Sequence, residues 1–127
     1  GIAPSTAGFV MPLGTTMNMS GTALYEGCVV LFVAQVFGVH LGLVEQVTLV
    51  FLSVLSAVAV AAIPGGSLPL IAGLLVAFGI PPEGIGIILG VDRLLDMTRT
   101  MTNVGSDMVT TAVVDARQRA TGHAGRV

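Results

Sequence analysis

Charge is scarce in this sequence, and its scarcity excludes the ordinary soluble domain. Only 9% of the 127 residues are charged and 54% are hydrophobic, and the mean hydropathy is +0.95. Soluble proteins carry about 25% charged residues. No charged residue occurs from Gln46 to Pro82, and a fold of this size has no core large enough to hide such a run. The composition therefore indicates a membrane protein or a piece of one.

Other absences narrow the function. The single cysteine, Cys28, excludes a disulfide framework within the chain and favours a packing role. No basic patch with interleaved aromatic residues is present, so nucleic acid is not expected as a partner. No Ser/His/Asp or Cys/His arrangement supports an enzyme. No charged and apolar leader precedes the body of the chain, and we expect it to be the C-terminal part of a longer protein whose N-terminal part is missing.

Lysine is absent, and three of the five arginines lie after Asp115, in a polar segment at the end of the chain. Cytoplasmic segments of membrane proteins are enriched in basic residues. We therefore expect this tail, residues 116–127, to be cytoplasmic.

The first membrane element is predicted over residues 12–39, which carry one charge, Glu26. At about 1.5 Å per residue this segment can cross a hydrocarbon core of about 30 Å. The polar patch "TTMNMSGT" within it predicts a locally unwound helix. Unwound backbone at membrane depth is tolerated only where protein or water covers it, so the patch is expected to line a cavity.

Two further elements follow. Residues 47–80 form two apolar arms separated by "IPGGS", and each arm is shorter than the about 20 residues that a straight span needs. This pattern favours a re-entrant helical hairpin over one kinked span. Pro81 and Pro82 then predict the start of a last transmembrane helix over residues 82–115. The expected fold class is an all-α membrane protein.

The last helix carries the strongest functional signal, in the segment "DRLLDMTRTMTNVGSD". Asp92, Asp96, Arg99, Asn103 and Asp107 are spaced by four, three, four and four residues, which places them on one stripe of a helix. A charge at the centre of a bilayer is costly, so the stripe is expected to face a protein interior or a watered pocket. The alternative is a surface helix whose charged stripe faces water, an alternative that is strongest for Asp92.

The chemistry of the stripe indicates the ligand. Arg99 offers a planar fork that matches a carboxylate, and Asp96, one turn earlier, can accept from an ammonium group. Together they fit a small zwitterion that has an additional carboxylate. Asn103 and Asp107, one turn further along, supply oxygen ligands for a hard monovalent cation.

Three motifs, "PLGTTMNMSGTALYEG", "AAIPGGSLPLI" and "ILGVDRLLDMTRTMTNVGSD", resemble the dicarboxylate/amino acid:cation symporters, the glutamate transporter family. The resemblance covers nearly the whole chain, from the seventh transmembrane helix through the second re-entrant hairpin to the eighth helix. It implies sodium-coupled symport of glutamate or aspartate across the inner (plasma) membrane, no enzyme cofactor, and a homotrimer for the full-length protein.

The resemblance also implies roles for individual residues. In the family, the arginine matching Arg99 binds the substrate's side-chain carboxylate, the aspartate matching Asp96 its amino group, and the asparagine matching Asn103 its α-carboxylate. Supporting substrate contacts are implied for Thr22, Thr100 and the backbone of Ile63. One sodium site is implied at the Gly14 carbonyl and the side chains of Asn18, Asn103 and Asp107, and a second at the carbonyls of Thr16, Ala57, Val58 and Val60.

Departures from the family pattern leave alternatives open. Ser20 stands where the family motif has an aspartate, so the number of cations and the choice between sodium and protons stay open. Val60 and Ala62 replace a small polar residue and a glycine, although a backbone carbonyl survives both changes. A four-carbon dicarboxylate is the alternative substrate, and Asp96 argues against it. In a different class, the chain is a membrane piece that binds a partner protein and transports nothing.

Overall fold

The computed structural model of the protein describes residues 1–59 and 65–124, and all regular structure within these residues is helical. The all-α fold class is therefore confirmed for this part of the chain. The helices are α1 (Pro4–Met17), α2 (Ser20–Val36), α3 (Leu43–Ala59), α4 (Leu68–Ala77), α5 (Ile85–Leu89) and α6 (Asp92–Ala124), with a 3-10 turn at Pro82–Gly84 before α5.

Helices α1 and α2 are two parts of one helical segment, which is interrupted at Asn18 and Met19. Together, Pro4–Val36 are long and apolar enough to cross a membrane, whereas α3 and α4 are shorter apolar helices. The break falls in the polar patch because asparagine, serine, threonine and glycine are poor residues for a helix interior. Two halves of one long apolar helix therefore present their free ends to the interior.

Helices α2 and α4 each end in a turn that contains a glycine. Gly38 and Gly79 follow α2 and α4 with φ values of 69° and 68°, which a residue with a side chain rarely adopts. The N–H of the next residue then reaches back to the helix, from Val39 to the Ala34 carbonyl and from Ile80 to the Leu75 carbonyl, both at 2.8 Å. These closures let the chain reverse direction and return to α2.

The core lies where α2 packs against α3 and α4. Its members are buried aliphatic residues and one tyrosine: Tyr25, Val29, Val30, Val33, Ala34, Leu49, Ile71, Leu74, Leu75, Ile80 and Ile88. The outer faces are apolar as well, including Phe9 on α1, Phe51 on α3 and Met101 on α6. An apolar exterior is what a bilayer or further transmembrane helices would cover.

The last helix differs from its predicted bounds. The sequence predicts one helix over 82–115 and a polar tail from 116, whereas α6 begins at Asp92 and continues to Ala124. The structure differs from the prediction at this end because tertiary contacts hold the last turns against the start of α1. The Thr6 hydroxyl donates to the Gln118 side chain at 2.9 Å, and the Ala3 N–H donates to Asp115 at 3.0 Å.

The re-entrant hairpin stays a prediction. Helices α3 and α4 correspond to the two predicted arms, and both pack on α2. Part of the predicted tip, including Val60 and Ile63, lies outside the described residues, whereas Gly65 and Ser67 are described.

Close approach of α2 to α6 gives a first testable prediction. A Cβ atom at Gly21 would lie 2.5 Å from the Arg99 carbonyl oxygen, whereas one at Gly105, on the outer face of α6, would meet no atom within 4 Å. We expect Gly21→Ala to lower the free energy of unfolding by about 1–3 kcal/mol. Gly105→Ala is the matched control and should be neutral or stabilising by up to about 1 kcal/mol. Thermal unfolding of the two variants in detergent makes the comparison, and equal melting temperatures would contradict this packing.

Candidate substrate and cation site

The polar stripe of α6 faces the interior of the molecule. Asp107 is 2% exposed, whereas Met101, on the opposite side, is 75% exposed. Helix α6 packs along both α1 and α2, so the stripe lies against the broken helix. This orientation excludes the water-facing amphipathic helix as a description of α6 in this fold, and it places the charged groups of the stripe where they need partners.

At one end of the stripe, Arg99 is held from three sides. Its guanidinium donates to the Asp96 carboxylate and to the Ser67 hydroxyl, and it lies over the ring of Tyr25, 5.3 Å from the centroid. The Tyr25 hydroxyl in turn donates to Asp92 at 2.7 Å. Asp92 therefore supports the site through Tyr25. Ser67 directly precedes α4, so this contact joins the second arm of the predicted hairpin to α6.

In the middle of the stripe, Asn103 binds the start of α2. Its side-chain oxygen accepts from the Gly21 N–H at 2.7 Å and the Thr22 N–H at 3.3 Å, and its amide nitrogen donates to the Thr22 hydroxyl at 3.2 Å. The first N–H groups of a helix have no partner within the helix and carry partial positive charge. Asn103 therefore caps α2 from another helix, at a place that also attracts anions.

At the far end of the stripe, Asp107 lies beside the helix break. The Asn18 amide nitrogen donates to the Asp107 carboxylate at 2.9 Å. A Cβ atom at Gly14 would lie 2.5 Å from the same carboxylate oxygen, so only glycine leaves room for it. The structure thus brings together Gly14, Asn18, Asn103 and Asp107, the four residues predicted for the first cation site.

The second predicted cation site is only partly described. A cleft of about 300 Å³ separates the helix break from α3, and Ala57, Val58 and Asn18 are among the residues that line it. Thr16 is exposed and does not line the cleft, and its hydroxyl donates to the Leu13 carbonyl at 2.9 Å. Val60 and Ile63 lie outside the described residues. The cleft therefore brings Ala57 and Val58 to the helix break without Thr16.

Thr22 and Thr100 differ in their surroundings. Thr22 is buried and its hydroxyl accepts from the Asn103 amide nitrogen. Thr100 is exposed, and its hydroxyl donates to the Asp96 carbonyl within α6 at 2.9 Å. Of the two threonines, only Thr22 contributes its side chain to the described site.

Three polar residues of the site were not predicted from the sequence, Tyr25, Ser67 and Ser106, and neither was a role for the acid Glu26 on α2. Glu26 is fully buried, and neither of its carboxylate oxygens has a hydrogen-bond partner among the described residues. A lone acid in an apolar helix is a signal that could have found it. Ser67 and Ser106 gave no such signal, because a hydroxyl contact between distant segments depends on how the helices pack.

The donor set suits a hard monovalent cation better than a transition metal. No group of three or more His, Cys, Asp or Glu side chains that could hold a metal occurs in residues 1–59 and 65–122. The ligands offered near the break are one carboxylate, amide oxygens, hydroxyls and backbone carbonyls. Oxygen ligands of this kind suit hard cations.

A broken membrane helix whose ends meet polar side chains inside an apolar bundle is typical of secondary transporters. The family model described as the sodium:dicarboxylate symporter family matches residues 1–117. The chain belongs to this family, whose members are transporters and not enzymes.

Individual relatives agree. Over 106 residues, 84% of this chain, it is 39% identical to the proton/sodium-glutamate symport protein of Bacillus subtilis. It is 35% identical over 90% of its length to the proton/glutamate-aspartate symporter of Escherichia coli, and 40% identical over 84% to an excitatory amino acid transporter of Caenorhabditis elegans. The chain spans between 21% and 26% of the lengths of these three relatives.

The cap on α2 gives a second testable prediction. Asn103→Ala removes the oxygen that accepts from two N–H groups of α2, and loss of a cap costs about 0.5–2 kcal/mol of stability. Thr110→Ala removes an exposed polar side chain of the same helix and is the matched control. We expect Asn103→Ala to unfold at the lower temperature of the two in detergent. Equal melting temperatures would show that Asn103 does not cap α2.

Proposed function

We propose that the protein is a cation-coupled symporter of acidic amino acids, glutamate or aspartate, with sodium as the coupling ion. One observation carries the proposal. Arg99 and Asp96, of opposite charge, lie side by side in the interior of a membrane protein, one turn from Asn103 and two from Asp107. The relatives named for glutamate and aspartate transport support the same substrates.

Substrate binding is proposed to replace the ion pair between Arg99 and Asp96 by two ion pairs between these residues and the substrate. Without substrate, Asp96 neutralises Arg99. In a ligand that has a side-chain carboxylate and an ammonium group, the carboxylate can pair with Arg99 and the ammonium group with Asp96. A dicarboxylate would leave Asp96 without a cation, and a neutral amino acid would leave Arg99 without an anion. An uncompensated charge in this environment is costly, so both are disfavoured against an acidic amino acid.

The α-carboxylate is proposed to bind at Asn103 and Thr22. The remaining hydrogen of the Asn103 amide and the Thr22 hydroxyl are donors, and the start of α2 adds a favourable dipole. Because Asn103 also lies within one turn of Asp107, the substrate and a cation at Asp107 share a neighbour. Binding of one then favours binding of the other, which is the coupling that a symporter needs.

Sodium is proposed to bind at the Gly14 carbonyl and the side chains of Asn18, Asn103 and Asp107. The cation would neutralise Asp107, which is otherwise a buried charge. A second cation is proposed at the carbonyls of Thr16, Ala57, Val58 and Val60. Support for that site is limited to the cleft at Ala57 and Val58.

The gate is proposed to be the re-entrant hairpin formed by α3, α4 and the segment between them, with the Ile63 backbone contacting substrate. The contact of Ser67 with Arg99 supports this idea, because it joins the hairpin to the residue that is proposed to bind the side-chain carboxylate of the substrate. For the complete protein we propose a homotrimer in the plasma membrane with the C-terminal segment on the cytoplasmic side, where Arg117 and Arg119 favour that orientation.

Arginine substitutions test the substrate. Arg99→Ala should weaken aspartate binding by about 100-fold or more, because it leaves a substrate carboxylate buried without a counter-charge. Arg93→Ala, an exposed arginine of the same helix, is the matched control and should bind normally. Counterflow of labelled aspartate or glutamate into proteoliposomes that hold the intact protein, with and without a sodium gradient, provides the measurement. Lack of stimulation by either substrate in the wild type would refute acidic amino acid transport.

A proton-coupled symporter is the second candidate, and Glu26 favours it. Its carboxyl group is fully buried, and neither carboxylate oxygen has a hydrogen-bond partner among the described residues, so burial disfavours the ionised form. A bound proton would remove the charge. Ser20 contributes no carboxylate to the cation region, which is compatible with coupling to protons in place of one or more sodium ions.

Glu26→Gln separates the two candidates, because glutamine has the shape of a protonated glutamate. If protons are coupled through Glu26, the variant should keep counterflow of aspartate and lose net uptake driven by a pH gradient. Glu83→Gln, an exposed acid before α5, is the control. Net uptake that responds to the pH gradient equally in Glu26→Gln and in the wild type would exclude Glu26 as the proton carrier.

A further inference from the structure

Ser106 lies at the centre of a hydrogen-bond cluster that joins the helix break to α6. Its hydroxyl accepts from the Ser20 hydroxyl at 2.9 Å and from the Asn18 amide nitrogen at 3.1 Å. It donates to the Asn103 carbonyl at 2.9 Å. A serine hydroxyl has one donor and two acceptor sites, so the whole capacity of Ser106 is used.

These contacts determine the orientation of the Asn18 side-chain amide. Its nitrogen donates to both the Ser106 hydroxyl and the Asp107 carboxylate, the latter at 2.9 Å. A carboxylate only accepts, so the nitrogen and not the oxygen of the amide must face Asp107. With both amide hydrogens bound, the Asn18 side-chain oxygen is the atom that remains for a ligand. No hydrogen bond within the described residues uses it.

We propose that Ser106 is a positioning residue of the cation site: by binding Asn18 and Ser20 at the helix break, it aims the Asn18 oxygen at a monovalent cation bound beside Asp107. The proposal rests on the proposed sodium-coupled function and adds a residue to it. Ser106 acts through Asn18 and does not itself bind the ion, because its hydroxyl is already fully bonded.

Charge balance limits this site to one monovalent ion. In the cluster of Asn18, Ser20, Ser106 and Asp107, only Asp107 carries a formal charge. A second cation in the same cluster would have to share Asp107 with the first, and two like charges held that close repel each other strongly. Ser106 therefore positions neutral ligands around a single ion.

The test is a double-mutant cycle on sodium dependence. Aspartate binding to the intact protein in detergent is measured at increasing sodium concentration for the wild type, Ser106→Ala, Asn18→Ala and the double variant. Residues that orient a metal ligand typically change metal affinity about 10–100-fold. We expect Ser106→Ala to raise the sodium concentration for half-maximal binding by about tenfold, with aspartate affinity restored at saturating sodium. In the Asn18→Ala background the same change should have no further effect.

Controls keep the outcomes distinct. Thr110→Ala, an exposed hydroxyl on α6, should leave the sodium dependence unchanged. Ser20→Ala removes one donor to Ser106 and should shift the sodium dependence in the same direction by a smaller factor, which provides a second test if Ser106→Ala does not fold. A wild type that fails to bind aspartate in sodium would refute the proposed function itself. Normal sodium dependence in Ser106→Ala, or an effect that persists undiminished in the Asn18→Ala background, would overturn only the role of Ser106.

Discussion

The buried polar face of α6 is the constraint on which the rest of the structure depends. A helix that carries Asp96, Arg99, Asn103 and Asp107 on one face cannot turn that face to lipid. The helix break at Asn18 and Met19 supplies what the face needs, because it exposes N–H groups of α2 and polar side chains at the same depth. In an unbroken α1–α2 helix, the backbone N–H groups would bind carbonyls of the same helix, and none would be left to donate to Asn103.

The same arrangement connects the two ends of the proposed site. Arg99 and Asp96 satisfy each other at one end, and Asn18 and Asp107 meet at the other. Asn103 lies between them and holds the start of α2. Movement of α2 relative to α6 would disturb both ends of the proposed site. Binding of a cation at one end and of substrate at the other therefore both act on the position of α2. This shared element is the physical basis we propose for coupling.

Much of the site could be predicted from the sequence, because the pattern is local. Spacings of three and four residues determine which α6 side chains share a face, and poor helix formers determine where the first membrane helix breaks. The roles of Ser67 and Ser106 could not be predicted, because their partners lie 32 residues away for Ser67, and 86 and 88 residues away for Ser106. The end of α6 differs from its predicted position for the same reason: its polar composition suggested a tail, whereas contacts of Asp115 with Ala3 and of Gln118 with Thr6 hold it as helix.

The central claim is that one site binds an acidic amino acid and a cation together. Calorimetric titration of the intact protein with aspartate, repeated across a range of sodium concentrations at constant ionic strength, tests it most directly. The account predicts that the dissociation constant for aspartate falls as sodium rises, with a slope near −1 or steeper on logarithmic axes, since at least one cation is bound with each substrate. Aspartate binding that is independent of both sodium and pH would contradict the account.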